Sequence, residues 1–135
     1  MFGKKAEGRP QGRIDSLIGV GTHIEGEVRF SGGLRLDGEI RGSINAVELS
    51  ESLLVVSDKA SIEGAVKVGH LVLNGTIVGP VFVADSLEMQ PNARIIGDVT
   101  YASIEMHQGA VIEGRLIHSP GKVPEPIPVE ADKAG

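Results

Sequence analysis

The stretch Ile62-Glu-Gly-Ala-Val66 is one copy of a phrase that this chain repeats six times: an isoleucine, any residue, glycine, any residue and an aliphatic residue. The other copies are Ile24-Glu-Gly-Glu-Val28, Ile40-Arg-Gly-Ser-Ile44, Ile77-Val-Gly-Pro-Val81, Ile95-Ile-Gly-Asp-Val99 and Ile112-Glu-Gly-Arg-Leu116. Their first isoleucines are 16, 22, 15, 18 and 17 residues apart. A repeat this short, with apolar residues at alternate positions, predicts a solenoid of stacked strands rather than a globule with one central core.

The segments that follow each phrase continue the alternation. Alternation places the aliphatic side chains inside the solenoid and the intervening residues, mostly charged or small, outside it. The glycine permits a bend between two short strands. A third segment completes most repeats, as in Leu34-Arg-Leu36, Leu71-Val-Leu73, Leu87-Glu-Met89 and Ile104-Glu-Met106. Three short strands per rung and six rungs predict an all-β, single-domain, three-sided parallel β-helix.

Two positions fit this repeat badly. The interval of 22 residues between the second and third phrases predicts a projecting loop or bulge between Glu48 and Leu54. Pro80 has no N–H to donate to a strand ladder, so we place it at the corner directly after Gly79.

Stacked rungs bring equivalent positions of successive repeats over one another. Glu25, Arg41 and Glu63 then form an outward column of alternating charge. Val78 and Ile96 continue the column as an exposed apolar step. This step is either a lateral contact or an ordinary pair of surface aliphatic side chains.

The composition of the chain excludes several classes of protein. Only 3% of its 135 residues are aromatic, which suits a narrow interior filled by stacked aliphatic side chains. The chain has no cysteine, so it can form neither a disulfide framework nor a thiolate metal site. It also has no apolar signal segment and no run of about 18 apolar residues, which predicts a cytoplasmic protein.

Charge and composition divide the chain into three parts. Residues 1–13 form a basic arm with a net side-chain charge of +3, which we expect to be disordered. Residues 14–118 form the β-helix and carry 7 basic and 14 acidic side chains. Residues 119–135 form a proline-rich tail, which we also expect to be disordered. An acidic body is a poor platform for phosphate groups, so nucleic acid is not an expected partner.

The two ends of the predicted β-helix are as apolar as its middle. Soluble solenoids usually cover their last rungs with a polar or helical cap, and no helix pattern flanks these repeats. Uncovered end strands favour end-to-end association through main-chain pairing and aliphatic stacking. The candidate polymerisation interface consists of Leu17, Ile18, Val20, Ile24, Ile112, Leu116 and Ile117. The alternative is that the tails fold back as caps.

The repeats and their flanking segments together resemble one known family. The chain starts Met1-Phe-Gly-Lys-Lys5, continues into the repeats through Ser16-Leu-Ile-Gly-Val-Gly-Thr22, and finishes in the proline-rich tail. With six rungs of the repeated phrase, the whole chain resembles a bactofilin. The resemblance implies a right-handed parallel β-helix between disordered tails, in agreement with the general preference for right-handed crossovers between parallel strands.

The same resemblance implies a function. Bactofilins are bacterial cytoskeletal proteins that polymerise without nucleotide into non-polar filaments, associate with the inner membrane and scaffold enzymes of cell-wall synthesis or remodelling. We therefore expect a cytoplasmic scaffold, peripheral at the inner face of the cytoplasmic membrane, and not an enzyme. Its expected partners are other copies of itself, the membrane surface, and cell-wall enzymes or other clients. No cofactor, metal or nucleotide is expected.

The N-terminal arm resembles the membrane-targeting start of many bactofilins at Met1, Phe2, Lys4 and Lys5. The ring of Phe2 can enter the lipid interface, and each nearby lysine contributes about 1 kcal/mol at an anionic leaflet. A single arm is a weak anchor, but a filament that displays many arms binds firmly through avidity. The alternative is a solvated basic terminus.

Two other classes of function remain open. Left-handed β-helices include acyltransferases and carbonic-anhydrase-like zinc enzymes, which resemble strict hexapeptide repeats. Zinc or acid–base catalysis needs converging histidines, whereas His23, His70, His107 and His118 stand at four different positions of the repeat. No complete dinucleotide fingerprint and no Gly-Lys-Ser/Thr phosphate loop is present. The last class is a non-polymerising interaction module that docks partners on its tails or on the apolar step.

Overall fold

Short parallel strands stacked into a column form the described part of this protein. The computed structural model describes residues 14–119. The predictions made for the N-terminal arm, including the membrane-binding residues Met1, Phe2, Lys4 and Lys5, and for the tail from Pro120 onward lie outside the described residues. Residues 14–119 form sixteen strands and one short 3₁₀ turn, Leu49–Glu51.

The strands line three faces, here called A, B and C, which the chain visits in that order in each rung. Face A contains β1 (Ser16–Ile18), β4 (Gly33–Leu36), β7 (Leu53–Val56) and β14 (Ser103–Met106). Face B contains β2 (His23–Glu25), β5 (Glu39–Arg41), β8 (Ser61–Glu63), β10 (Thr76–Val78), β12 (Arg94–Ile96) and β15 (Val111–Glu113). Face C contains β3 (Val28–Phe30), β6 (Ile44–Ala46), β13 (Val99–Tyr101) and β16 (Leu116–His118). The two long strands β9 (Val66–Leu73) and β11 (Val81–Met89) begin on face C and continue onto face A.

The register of face B explains the repeated phrase. The first isoleucine of each phrase lies over that of the next, in the order Ile24, Ile40, Ile62, Ile77, Ile95 and Ile112. The four middle isoleucines are at most 1% exposed, whereas the two at the ends are only partly buried. An inward isoleucine is therefore fully buried only where a rung lies on both sides of it.

Faces A and C complete the interior in the same way. The inward columns are Leu34, Leu54, Leu71 and Leu87 on face A and Ile44, Val66, Val81 and Val99 on face C. All eight side chains are at most 2% exposed. Phe30 is the only buried ring among residues 14–119. The interior is thus a narrow stack of aliphatic side chains, which agrees with the low aromatic content of the sequence.

Gly64 shows why each phrase contains a glycine. Its φ is +150°, and a Cβ at this position would overlap the carbonyl oxygen of Gly42 in the preceding rung. Its own N–H donates to the carbonyl of Val78 in the next rung at 2.9 Å. Glycine alone combines this backbone conformation with so close an approach of two chains. The glycines therefore set the spacing of the rungs at the corner between faces B and C.

The insertion in the 22-residue interval is smaller than the sequence predicts. A projecting loop between Glu48 and Leu54 is wrong for its second half, because Leu53 and Leu54 begin β7 and are only 4% and 0% exposed. Leu54 belongs to the inward leucine column of face A, and burial in that column accounts for the strand. The extra residues are confined to the 3₁₀ turn Leu49–Glu51 and its immediate neighbours.

A buried serine holds this insertion against the next rung. Ser52 is 0% exposed, and its Oγ donates to the carbonyl of Leu49 at 3.0 Å while accepting the N–H of Gly69 at 2.8 Å. The carbonyl of Ser52 also accepts the N–H of His70 at 3.0 Å. A Cβ at Gly69 would overlap the carbonyl oxygen of Leu49. The insertion is therefore a packed element of the corner between faces C and A.

The remaining fold predictions have clear outcomes. The parallel, three-sided solenoid of six rungs is confirmed, and its handedness stays a prediction. Pro80 lies at the corner between β10 and β11, as predicted, and its carbonyl accepts the N–H of Val66 at 3.0 Å. The prediction of three separate strands in every rung is wrong where β9 and β11 run through the corner between faces C and A.

Candidate functional site: the two terminal rungs

The first and last rungs leave one edge of every strand unpaired within residues 14–119. In rung 1 (residues 16–30), the strands β1, β2 and β3 pair only with β4, β5 and β6 of the second rung. In rung 6 (residues 103–118), the strands β14, β15 and β16 pair only with β11, β12 and β13 of the fifth rung. Unpaired strand edges are templates for pairing with another chain.

The inner rungs show which groups of rung 6 are unsatisfied. The N–H of Gly97 donates to the carbonyl of Glu113 at 2.9 Å, and the N–H of Val99 donates to the carbonyl of Arg115 at 2.8 Å. Gly114 has the corner position of Gly97 in rung 6, and Leu116 pairs with Val99 in the register. Their N–H groups therefore point beyond rung 6, where residues 14–119 supply no acceptor.

Rung 1 has the matching acceptors. The carbonyl of Arg41 accepts the N–H of Gly26 at 2.9 Å, and the carbonyl of Ser43 accepts the N–H of Val28 at 2.8 Å. The equivalent carbonyls of rung 1 belong to Glu25 and to Glu27, and they point away from the solenoid. Each end of the column thus presents main-chain groups in the spacing of the ladder.

The predicted interface residues divide into two sets. Ile18, Ile24, Ile112 and Leu116 lie in inward columns, because they pair in register with Leu36, Ile40, Ile95 and Val99. Leu17 and Ile117 instead point outward, in register with Arg35 and Thr100, and they are 62% and 42% exposed. Val20 lies in the turn after β1 and is 70% exposed. The two ends therefore combine an open interior with an apolar rim.

Sequence reasoning missed three further apolar side chains at the ends. Ile14 precedes rung 1 and is 44% exposed, while Met106 and Val111 of rung 6 are 44% and 41% exposed. Met106 pairs in register with the fully buried Met89, so its exposure follows directly from its place in the last rung. The alternation of the third segments was the signal that could have identified it.

Ion pairs tie rung 6 to rung 5. Nη2 of Arg94 is 2.9 Å from Oε2 of Glu113, on the outside of face B. At the neighbouring corner, the backbone N–H of Arg115 donates to Oδ1 of Asp98 at 3.0 Å. This hydrogen bond, together with the Arg115 guanidinium, lowers the pKa of Asp98 below its ordinary value. The terminal rung is therefore held by charged groups as well as by its ladder.

A second candidate surface lies on the side of the column. Residues 71–84, which make up most of rung 4, contain no Lys, Arg, Asp, Glu or His. Val78 is 41% exposed and Ile96, its partner in register, is 37% exposed. On face C, Phe82 is partly buried, and Nζ of Lys67 lies 5.7 Å from the centre of its ring. Rung 4 thus forms an uncharged band across an otherwise acidic body.

The four histidines lie apart and have different partners. Nδ1 of His23 is 3.0 Å from Oε1 of Glu39, and Nε2 of His118 is 2.9 Å from the carbonyl of Ala102. Nδ1 of His70 is 2.8 Å from Oγ of Ser86, with Oδ2 of Asp85 at 3.4 Å from Nε2. Nε2 of His107 is 3.1 Å from Oε2 of Glu88. His70 is more enclosed than a surface histidine, because its side chain is only 15% exposed.

Two searches of the described residues bear on the remaining function classes. Among residues 14–119, no three His, Cys, Asp or Glu side chains are grouped so that they could hold a metal ion. The same part of the chain contains no helix with the length and apolar character needed to cross a membrane.

Comparison with known proteins gives one consistent family. The family model described as "Bactofilin: Polymer-forming cytoskeletal" matches residues 16–117. The chain is 26% identical over 102 residues to bactofilin BacO of Myxococcus xanthus, which covers 76% of this chain and 78% of the relative. It is 24% identical over 117 residues to bactofilin BacP of the same organism, which covers 84% of this chain and 47% of the relative.

A solved structure shares the fold. The cryo-EM reconstruction of double helical filaments of the Thermus thermophilus bactofilin superposes on this chain with a TM-score of 0.65 and 24% sequence identity. The match covers 77% of this chain and 99% of that chain.

Proposed function

This chain belongs to the bactofilin family of polymer-forming cytoskeletal proteins, and from that premise we propose that it assembles end to end through its two terminal rungs. The observation that supports this site is the pair of open ends. Each end carries unpaired strand edges, with an exposed aliphatic rim and an interior that is fully buried only between two rungs. A second copy on each end satisfies both requirements at once.

We propose that like ends meet, so that the filament is non-polar. Joining unlike ends in continuous register would place Glu113 of one copy beside Glu25 of the next, because both lie in the same outward column of face B. Like charges directly opposite one another destabilise a strand pair. Assembly would also need no nucleotide, since the sequence contains no Gly-Lys-Ser/Thr phosphate loop.

The test of end-to-end assembly uses three single substitutions. Ile18→Glu and Leu116→Glu each place a charge in an open end, whereas Ala65→Glu places the same charge on an exposed corner of rung 3. We expect the first two variants to lose filaments in negative-stain electron microscopy, with no nucleotide or metal added, and Ala65→Glu to keep them. Circular dichroism and thermal melting check that all three remain folded. Filaments of normal length from both end variants would rule out the terminal rungs as the contact.

We further propose that the lateral contact between two filaments uses the uncharged band of rung 4. The relative from Thermus thermophilus forms double helical filaments, which require contacts between neighbouring strands of subunits. The body of this chain is acidic, so two columns approach most easily where residues 71–84 carry no charge. Val78, Ile96 and Phe82 supply apolar area at this place.

The cellular role that we propose is a scaffold at the inner face of the cytoplasmic membrane, where the filament positions enzymes of the cell envelope. The sequence of residues 1–5 supports the attachment, because Phe2 lies next to two lysines. Deletion of residues 1–8 should release the protein from vesicles containing phosphatidylglycerol without stopping filament formation. Neutral phosphatidylcholine vesicles serve as the control. If the shortened protein still sediments with anionic vesicles, the arm is not the anchor.

A further inference from the structure

The last rung leaves a fixed pattern of main-chain groups open. The N–H of Ser119 donates back to the carbonyl of Tyr101 at 2.7 Å, so Ser119 points toward rung 5. Alternate residues of a strand direct their N–H and C=O groups to opposite edges. His118 and Leu116 therefore point away from rung 5, as does Gly114 at the corner. On face B the N–H of Val111 also points back, to the carbonyl of Ala93 at 3.0 Å, which leaves Ile112 pointing outward.

The sequence that follows has a pattern suited to such an edge. In Val123-Pro-Glu-Pro-Ile-Pro-Val129, proline occupies every second position. If this segment is extended, one edge keeps the N–H groups of Val123, Glu125, Ile127 and Val129, and the other edge has no N–H group at all. Proline is accepted in sheets on edge strands whose missing N–H faces solvent. The segment can accordingly pair along one edge and cannot continue a sheet along the other.

The connection sets the register of this pairing. Ser119-Pro-Gly-Lys122 places Pro and Gly at the two central positions of a turn, the arrangement that a type II turn prefers. A four-residue turn at 119–122 brings Val123 opposite His118 and Glu125 opposite Leu116. Continued round the corner, the same register brings Ile127 opposite Gly114 and Val129 opposite Ile112. Each residue with an N–H group thus meets a residue of rung 6 whose main-chain groups are open.

We propose that residues 119–129 fold back as an antiparallel edge strand on rung 6 and cap the C-terminal end of the solenoid. Opposite residues in a strand pair share one side of the sheet. Val123, Ile127 and Val129 then cover the open interior beside Leu116, and the prolines point outward. Glu125 is the one polar side chain of the inner set, and it lies diagonal to His118 in this register.

The cap regulates assembly, an inference that rests on the proposed end-to-end function. Its outer edge has no N–H donors, so it does not serve as a template for a further rung. A tail tethered by four residues acts at a millimolar effective concentration, against which free subunits compete at micromolar concentration. The cap spans faces B and C and leaves β14 on face A open. A partner end covers all three faces and displaces the cap once it has docked.

The experiment compares three proteins: the full chain, a chain that stops at Ser119, and a chain in which the prolines are moved by one position. The last is V123P/P124V/E125P/P126E/I127P/P128I, which keeps the length and composition of the tail and turns its prolines toward rung 6. Hydrogen exchange by mass spectrometry is measured on peptides covering residues 110–119, in samples too dilute to scatter light. Light scattering then gives the lowest concentration at which each protein assembles.

We expect slow exchange at residues 112–118 in the full chain and faster exchange in the other two proteins. We also expect both altered proteins to assemble at concentrations lower by about tenfold, a modest share of the advantage that tethering gives the cap. Equal exchange in all three proteins would overturn the cap, whatever their assembly. Unequal exchange without filaments in any of them would keep the cap and reject the proposed polymerisation. Unequal exchange with equal assembly would overturn the regulatory role.

Discussion

The carboxylate of Asp98 accepts two hydrogen bonds from Arg115, one from the backbone N–H at 3.0 Å and one from Nη2 at 3.3 Å. This contact joins rung 5 to rung 6 at the corner between faces B and C. The bond from the backbone N–H is the main reason that the pKa of Asp98 lies below the ordinary value of 3.8, and the bond from the side chain lowers it further. The contact is therefore a charge-dependent clasp on the terminal rung.

The clasp predicts how acid affects the end of the column. Because the folded state lowers the pKa of Asp98, its stabilising effect is complete above the unfolded value and disappears as the pH falls through the folded value. We expect hydrogen exchange at residues 114–118 to quicken relative to rung 3 when the pH drops below about 4. Asp98→Ala should show the quickened exchange at every pH. A wild-type profile without an acid step would contradict the assignment.

The isoleucine column predicts unequal costs for one substitution. Ile77 is 0% exposed in rung 4, whereas Ile112 in rung 6 is only partly buried. Ile77→Ala should lower the free energy of unfolding by about 2–5 kcal/mol, because it leaves a cavity between two rungs. Ile112→Ala should cost less in dilute, unassembled protein. Urea titration of both variants checks the order, and equal losses would mean that the ends are covered in solution.

The corner glycines predict a sharp sensitivity to one methyl group. Gly64→Ala combines a φ of +150° with overlap on the carbonyl oxygen of Gly42. Strain of the backbone alone costs about 1–3 kcal/mol, and separating the two chains adds to it. Gly19→Ala is the matched control, since a Cβ there meets nothing within 4 Å. Thermal melting should show a large decrease for the first variant and little change for the second; similar melting would refute the corner argument.

The buried hydroxyl of Ser52 predicts that the insertion stabilises the fold. Ser52→Ala leaves the N–H of Gly69 without its acceptor, and an unsatisfied buried donor costs about 1–3 kcal/mol. Ser50→Ala changes an exposed hydroxyl of the same turn and should be nearly neutral. Denaturant titration compares the two free energies of unfolding. If the two variants unfold alike, the insertion is not held by this contact.

The uncharged band predicts a separate effect on filament pairing. Val78→Lys with Ile96→Lys places two charges at the centre of the proposed lateral contact, far from both ends. We expect single filaments in place of paired ones in electron microscopy, with subunit assembly along each filament unchanged. Thr100→Lys, which lies on face C of rung 5, is the control for added charge. Paired filaments from the double variant would exclude Val78 and Ile96 from the contact.

Most of the fold was predictable because one periodic rule governs it. The positions of Ile24 and Ile112 alone define the phase of face B, and the glycine of each phrase fixes the corner that follows. The insertion was not predictable in detail, because Leu53 and Leu54 look like loop residues until the leucine column of face A is known. The passage of β9 and β11 through a corner also has no local signal, since it depends on contacts between rungs.

The candidate site was predictable in its location and less so in its geometry. Absence of a capping pattern pointed to the ends, where Leu17, Val20, Leu116 and Ile117 are all exposed. The sequence did not show that Leu17 and Ile117 point outward, because their direction depends on the register with Arg35 and Thr100. The roles of all these residues in assembly stay predictions.

The number of rungs also acts as a ruler. Six rungs about 4.8 Å apart make the subunit about 29 Å tall, since the rise of a solenoid is set by the distance between strands and hardly by its side chains. In a non-polar filament the true repeat is a pair of subunits, or about 58 Å. Any client that binds one site on the column would therefore be displayed at that interval, and a chain with one rung more or fewer would change the interval by a fixed step.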